Sequence, residues 1–233
     1  MDSDAARDRP TRQQISDDIG GAGWRLILGA LHTHVKADSL SAAAAVASTA
    51  ATAVGVADQR HLAVDVRADV AMLRLTDPDV GAVTRRDLEL ARQITAALAE
   101  YASATETPLD GLAGAPQELE FAVDALDIPR VRPFWKAVTG YTDHPGESGP
   151  DAALVDPHGR GMTIWFQQMD APRPQRNRIH LDVSVPHDAA QSRIEATLAA
   201  GGALLDDSAA PAFWVLADPE GNEACICTWQ ARD

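Results

Sequence analysis

The sequence predicts a protein of two α+β domains, and three observations support that fold class. The second half repeats one pattern twice: an alternating strand, an amphipathic helix that ends at glycine, and a strand with an Asp-Pro-x-Gly turn. The first half alternates between helical and strand periodicity in the order α-β-β-α-β-β-α. Between the halves lies a small, polar stretch without periodicity, which is typical of a linker. We therefore expect domains at residues 8–102 and 117–231, joined by a linker at residues 103–116.

Composition excludes several classes of function. The chain has 233 residues, of which 45% are hydrophobic, so it can form packed cores. Its formal net charge of −14 argues against nucleic acid or an anionic membrane as a partner, because both attract basic surfaces. The N-terminal stretch has no apolar core typical of a signal peptide, and no run of 18 apolar residues is seen. We expect a cytoplasmic protein.

The elements of the first domain follow from local signals. In chain order we expect a short helix, two strands, an alanine-rich helix, a hairpin and a final helix. Ser39 or Ser41 is placed to cap the alanine-rich helix. Little more than Ala68-Asp69 separates the two strands of the hairpin. Thr84 and Asp87 have the spacing of a capping box at the start of the final helix. The domain should place its helices on one face of an antiparallel sheet.

This order, with the motifs GWR and VTRRDLELARQI, resembles the pterin-4a-carbinolamine dehydratase family over about residues 12–98. The resemblance implies a pterin ligand and histidines as proton donor and acceptor. The family's motif positions read Arg60-His61-Leu62 here, and the fourth strand ends at Thr76-Asp77 instead of a histidine. His61 and Asp77 are therefore the candidate catalytic residues. Alternatively, the domain is a degenerate, non-catalytic scaffold and His61 only packs.

The second domain contains the repeat. Its two helices end at Gly140 and Gly201, and its Asp-Pro-x-Gly turns begin at Asp156 and Asp218. Aligning the halves of the repeat places Glu120 opposite His180, and Thr163 opposite Cys225. Each half should fold as a strand, a helix and three more strands.

The segments FWKAVTGY and DPEGNEACIC make residues 118–229 similar to the vicinal oxygen chelate (VOC) superfamily, the glyoxalase relatives. The resemblance implies tandem βαβββ modules that curl into a cup, with metal ligands on the first and last strand of each module. Those positions read Glu120, Thr163, His180 and Cys225. One outcome is a zinc site of Glu120, His180 and Cys225 with one open position. The other is a metal-free domain with Cys225 as a buried hydrophobe and His180 paired with Glu120 or Asp182.

Either outcome leaves a concave ligand pocket. We expect it to be lined by Glu120, His180, Asp182, Ser184, Trp165 and Trp214, although tryptophans on such strands also serve as core residues. Aromatic and acidic side chains suit a small planar or cationic ligand. The first hypothesis is therefore a small-molecule-binding VOC protein, and the resemblances imply a homodimer or larger homo-oligomer. The alternatives are a 4a-hydroxytetrahydropterin dehydratase-type lyase that uses His61, or a metal-dependent VOC lyase, isomerase or dioxygenase.

Overall fold

The computed structural model describes residues 9–99, 116–173, 175 and 179–231. The chain divides into two compact units, Met1–Glu118 and Leu119–Asp233. Each unit has a hydrophobic core of its own. All of the expected linker except Pro116 lies outside the described residues.

The first unit contains three α-helices and one four-stranded sheet among its described residues. Its elements are α1 (Arg12–Ile19), β1 (Arg25–Ile27), β2 (Ala30–Lys36), α2 (Leu40–Asp58), β3 (Leu62–Val66), β4 (Val70–Leu75) and α3 (Arg85–Ala97). The strands are antiparallel in the order β1-β2-β4-β3, and β3 and β4 form the expected hairpin. The order of helices and strands agrees with the prediction, and the likeness to the dehydratase family stays a prediction.

The caps of α2 and α3 follow the sequence signals. The Ser39 hydroxyl accepts a hydrogen bond from the backbone N–H of Ala42, so Ser39 and not Ser41 caps α2. Thr84 and Asp87 form the expected capping box at the start of α3. Leu31, Leu73 and other strand residues of one sheet face pack with the helices in the core.

Helix α2 and the turn after it, Leu40–His61, are long and apolar enough to cross a membrane by length and composition alone. The sequence prediction of no long apolar run missed this segment, because its serines and threonines interrupt the run but its alanines and valines keep the mean hydropathy at 1.6. Core helices pass the same test. Ala43, Val46 and Ala50 of α2 are fully buried in the core of the first unit.

The second unit repeats one module. The first module consists of β5 (Glu120–Ala125), α4 (Ile128–Thr139), β6 (Thr142–Asp143), β7 (Leu154–Val155) and β8 (Thr163–Gln168). The second module consists of β9 (Leu181–Ser184), α5 (Ala190–Ala199), β10 (Ala203–Asp206), β11 (Phe213–Ala217) and β12 (Glu223–Cys227). The sheet orders are β5-β8-β7-β6 and β9-β12-β11-β10, and in both the first strand is parallel to the last. The predicted repeat and the α+β class are confirmed.

The two Asp-Pro-x-Gly turns are built alike. Asp156 and Asp218 each accept hydrogen bonds from backbone N–H groups two and four residues later. The glycine of each turn, Gly159 or Gly221, has a positive φ of 65° or 89°. Side chains with a Cβ rarely adopt that conformation, which explains the glycine at both turns.

Candidate functional site

Strand alternation separates a core face from an outer face on both sheets of the second unit. On β5, Val123 and Ala125 are buried in the core, whereas Glu120 and Asp124 are exposed. The same alternation on β9 leaves Asp182 and Ser184 exposed. The outer faces therefore carry most of the side chains that the sequence singled out.

His180, Asp182 and Cys225 come together on the outer face of the second module. Asp182 and Cys225 are cross-strand partners on the parallel strands β9 and β12, and His180 immediately precedes β9. His180 Nε2 lies 3.3 Å from Asp182 Oδ1. One donor atom from each of the three residues lies within 4.8 Å of the other two. Among the residues that the structure describes, no other group of three such side chains meets that condition.

Cys225 is the buried member of this cluster, and its thiol holds its proton. Burial, then the charge of Asp182 and a hydrogen bond with it, raise the pKa of Cys225 to about 12. The thiol donates to the Asp182 carboxylate in this state. The side chains of His180 and Asp182 are both more than half exposed, so solvent reaches the other side of the cluster.

The donor set fits a divalent metal of intermediate softness. Imidazole, carboxylate and thiolate are the three ligand types that zinc takes, and three protein ligands leave one position open. Bound zinc would stabilise the thiolate and act as a Lewis acid toward a ligand in the open position.

The structure does not bring Glu120 into this cluster. Glu120 pairs with Thr163 in the first module, as Asp182 pairs with Cys225 in the second. By strand register, Asp182 therefore holds the position in its module that Glu120 holds in its own. Alignment of the repeat placed His180 there, two residues early.

The other predicted pocket residues lie on different faces. Ser184 and Trp165 are exposed on the outer faces of their sheets. Trp214 packs against the core of the second unit, because it pairs with Ile226 on the core face. Trp214 was expected to line the pocket or to serve as a core residue, and the structure places it against the core.

A cavity of about 550 Å³ opens at the free edge of β5 in the second unit. Its walls come from β5, the chain between the modules and the turn before β12. The apolar lining includes Phe121, Trp135, Met169 and Ile179, and the charged lining comprises Asp124, Arg173, Glu220 and Glu223. The lining includes none of the six residues expected for the pocket.

One buried and two exposed hydrogen bonds fix the turn that closes this cavity. The fully buried Trp135 donates from Nε1 to Asp218 Oδ2 at 3.0 Å, which joins α4 of the first module to the turn of the second. The Glu220 carboxylate accepts from the backbone N–H groups of Leu126 and Asp127 at 2.9 and 2.7 Å. Sequence reasoning missed these walls, since only the fold brings the two segments together. The acidic residue at Asp124, alternating with Glu120, was the one local signal.

In the first unit, His61 contacts Asp87 and its ring is mostly buried. His61 Nδ1 lies 2.8 Å from Asp87 Oδ1, and Asp87 is fully buried. The other carboxylate oxygen accepts from the backbone N–H and the hydroxyl of Thr84. A carboxylate only accepts hydrogen bonds, so Nδ1 is the donor and Nε2 is left as the basic nitrogen of the neutral ring.

Asp77, the other candidate catalytic residue, is used by its own turn. Its Oδ1 accepts from the backbone N–H groups of Asp79 and Val80 at 2.9 and 3.2 Å. Sequence reasoning assigned Asp87 a capping role only and did not connect it to His61.

The solved structures that resemble this protein cover about half of its chain. Among solved structures, the chain is similar to a glyoxalase/bleomycin resistance protein/dioxygenase family enzyme from Burkholderia phytofirmans, with 20% identity, 48% of this chain and 98% of that chain covered, and a TM-score of 0.40. It is also similar to the fosfomycin resistance protein FosX from Listeria monocytogenes, solved as a variant with Mn(II) and 1S,2S-dihydroxypropylphosphonic acid. That likeness has 11% identity, covers 51% and 90% of the two chains, and has a TM-score of 0.36.

No curated protein matches the chain. The family model described as a glyoxalase-like domain matches residues 120–227. That range begins with β5 and ends with β12, so it contains both modules and nothing of the first unit. Residues 120–227 are therefore similar to a glyoxalase-like domain, and we use that name for this segment.

Proposed function

We propose that the protein binds a small molecule, and that the ligand occupies the cavity beside β5 of the glyoxalase-like domain. The observation that carries this proposal is the cavity itself. Its volume of about 550 Å³ lies within the range of roughly 300–1,000 Å³ typical of ligand pockets. The first unit then acts as a non-catalytic scaffold.

The lining defines the class of ligand. Phe121 offers aromatic surface, and the buried Trp135 ring lies behind it with the ring centroids 5.8 Å apart. Arg173 Nη1 lies 4.0 Å from Asp124 Oδ2. Both side chains are exposed enough to leave each other and bind a ligand instead. Glu223 adds a further carboxylate. A small ligand with a planar apolar body and a cationic group fits this lining best.

The test is to fill the cavity without disturbing the core. Ala122 lines the cavity and is exposed, so Ala122→Leu should narrow the cavity at little cost in stability. Ala203→Leu, on the exposed strand β10, is the matched control. A panel of planar aromatic amines and carboxylates would be screened by thermal shift, and the hits measured by calorimetry on all three proteins. We expect amines to bind to the native chain and to Ala203→Leu, with affinity reduced about tenfold or more in Ala122→Leu.

Two outcomes would count against cavity binding. One is a panel in which no compound binds to the native chain. The other is a compound that binds to Ala122→Leu as tightly as to the native chain and to Ala203→Leu.

A second candidate function is pterin dehydration by the first unit, a lyase activity. It is supported by the contact between His61 and the fully buried Asp87, which holds one tautomer of the imidazole. His61 would move the proton at Nε2, and Asp87 would position the ring without touching the pterin. A 4a-hydroxytetrahydropterin dehydration assay tests this. His61→Ala should abolish the rate, whereas His158→Ala, in the other unit, should not change it. A rate that survives in His61→Ala excludes this activity for His61.

The glyoxalase-like domain would also hold a divalent metal at its outer face, and we propose zinc. The FosX neighbour was solved with Mn(II). A thiolate ligand shifts the preference of this chain's site toward zinc. A metal-dependent lyase, isomerase or dioxygenase activity would depend on that ion, and metal analysis of protein purified without chelator is its first test.

We further propose that the protein is cytoplasmic and forms a homodimer or larger homo-oligomer. The acidic net charge of −14 supports the absence of nucleic-acid and membrane partners. Light scattering coupled to size exclusion measures the oligomeric state, and a monomeric mass over a wide concentration range would rule out the homodimer.

A further inference from the structure

We propose that the second module alone holds the zinc ion, through His180, Asp182 and Cys225, and that Glu120 of the first module takes no part. This inference deepens the proposal of a metal in the glyoxalase-like domain and is independent of ligand binding in the cavity. It assigns three ligands from two neighbouring strands of one sheet, instead of ligands shared between the two modules.

The geometry of the three donors supports one shared ion. Donor atoms bound to a single tetrahedral zinc lie roughly 3.3–3.8 Å apart, because zinc binds nitrogen and oxygen at about 2.0–2.2 Å and sulfur at about 2.3 Å. His180 Nε2 and Asp182 Oδ1 are already 3.3 Å apart. The Cys225 thiol lies within 4.8 Å of both donors, so it needs only a small side-chain adjustment to join them.

Strand pairing explains why Asp182, and not Glu120, completes the set. Parallel pairing places Asp182 directly beside Cys225, with both side chains on the outer face. Glu120 lies on β5 in the other sheet, where its cross-strand partner is Thr163. The hydroxyl of Thr163 is a poor zinc ligand. The first module therefore offers no equivalent pair of donors.

The exposure of the cluster suits an ion that exchanges with solvent. Cys225 lies in the buried strand β12 and forms the floor, while His180 and Asp182 have exposed side chains above it. The fourth ligand would be water or a small oxygen donor, which is how catalytic zinc sites are built. Without metal, the same residues form a hydrogen-bonded chain from thiol to carboxylate to imidazole, and this metal-free arrangement is the competing explanation.

Cobalt(II) distinguishes the two explanations, since it replaces zinc and reports a thiolate ligand through a charge-transfer band in the near ultraviolet. The full chain, reduced and freed of metal, would be titrated with cobalt(II) and then with zinc. Cys225→Ser should lose the band. Cys227→Ser is the matched control, because Cys227 is equally buried two residues further along β12. Asp182→Asn should weaken binding by more than the roughly 10–100-fold typical of outer-shell residues, and Glu120→Gln should leave it unchanged.

Each outcome decides the proposal. A band that zinc displaces, and that is lost in Cys225→Ser but kept in Cys227→Ser and Glu120→Gln, supports it. No band in the native chain under excess cobalt overturns it in favour of the metal-free triad. If Glu120→Gln and Asp182→Asn weaken cobalt(II) binding equally, the proposal is also overturned, because the site would then span both modules. Near-ultraviolet circular dichroism of each variant confirms that the fold is intact, and failure of cavity binding would leave these readings unaffected.

Discussion

At the scale of single residues, buried titratable groups link this protein's stability to pH. His32 on β2 is only 7% exposed, and its pKa is lowered to about 4 by burial first and then by the charges of Arg74 and His34. The folded state therefore holds His32 neutral where the unfolded chain, with a pKa of 6.5, takes up a proton. Stability at this site is fully present above pH 6.5 and is lost as the pH falls toward 4.

We predict that His32→Gln removes part of this acid sensitivity. Since one pKa unit corresponds to about 1.4 kcal/mol, the loss due to His32 between pH 6.5 and 4 is at most about 3 kcal/mol. Hydrogen exchange of β2 amides, followed at several pH values, measures the stability of the first unit in the full chain. Protection should fall less in His32→Gln than in the native chain. His158→Gln, an exposed histidine of the second unit, should behave as the native chain does. Identical pH profiles for His32→Gln and the native chain would contradict the prediction.

The residue scale also shows where sequence reasoning ends. The sequence identified His61 and Asp77 as candidate catalytic residues, and it gave no contact partner for His61. The structure connects His61 to Asp87, 26 residues away and at the start of α3. Asp87 accepts from the backbone N–H of Thr84 as a capping residue and contacts His61 with its other oxygen. A local signal predicted the first contact, and only the tertiary fold produces the second.

At the scale of elements, close packing between the modules depends on a glycine. Gly202 follows α5, and a Cβ built there would lie 2.7 Å from Cδ2 of the Phe134 ring and 2.9 Å from the carbonyl oxygen of Thr197. Phe134 is completely buried in α4, so its ring has little room to move. The glycine lets the chain after α5 approach the helix of the other module.

We predict that Gly202→Ala destabilises the glyoxalase-like domain by about 1–3 kcal/mol, the usual cost of overpacking a core. Gly21→Ala is the control, because a Cβ there meets nothing within 4 Å. Trp135 touches Phe134 edge to face at 5.5 Å, so its fluorescence reports on this packing during denaturant unfolding. If Gly202→Ala and Gly21→Ala unfold at the same denaturant midpoint, the Phe134 ring moves aside without loss of stability, and the prediction is wrong.

The helices, strands and turns were largely predictable from the sequence, but the register in which the two modules correspond was not. Helix caps such as Ser39 and turn glycines such as Gly221 act over a few residues, so the sequence contains their signal. The repeat in the second half predicted both βαβββ modules. Aligning its halves by sequence nevertheless placed His180 where strand pairing places Asp182. A displacement of two residues keeps the same face of a strand, so periodicity could not detect it.

At the scale of the whole molecule, the two cores share no residue. The first is closed by α1, α2 and α3 over the antiparallel sheet, and the second by α4 and α5 over the paired sheets. The family-model match covers residues 120–227 and stops at the boundary between the units. A core that is complete within one unit supplies most of the free energy that folds that unit. The glyoxalase-like domain should therefore fold without the first unit.

We predict that residues 117–233, produced alone, fold and keep both proposed sites. The cavity lining and the donors His180, Asp182 and Cys225 all lie in this fragment, and so does the buried Trp135–Asp218 hydrogen bond that fixes the turn before β12. The fragment should unfold at the same denaturant midpoint as the second unit of the full chain. A Trp24→Phe background restricts tryptophan fluorescence of the full chain to that unit, because its other four tryptophans lie there. An unfolded fragment, or one that folds but loses cobalt binding while the full chain retains it, would show that the first unit contributes to the site.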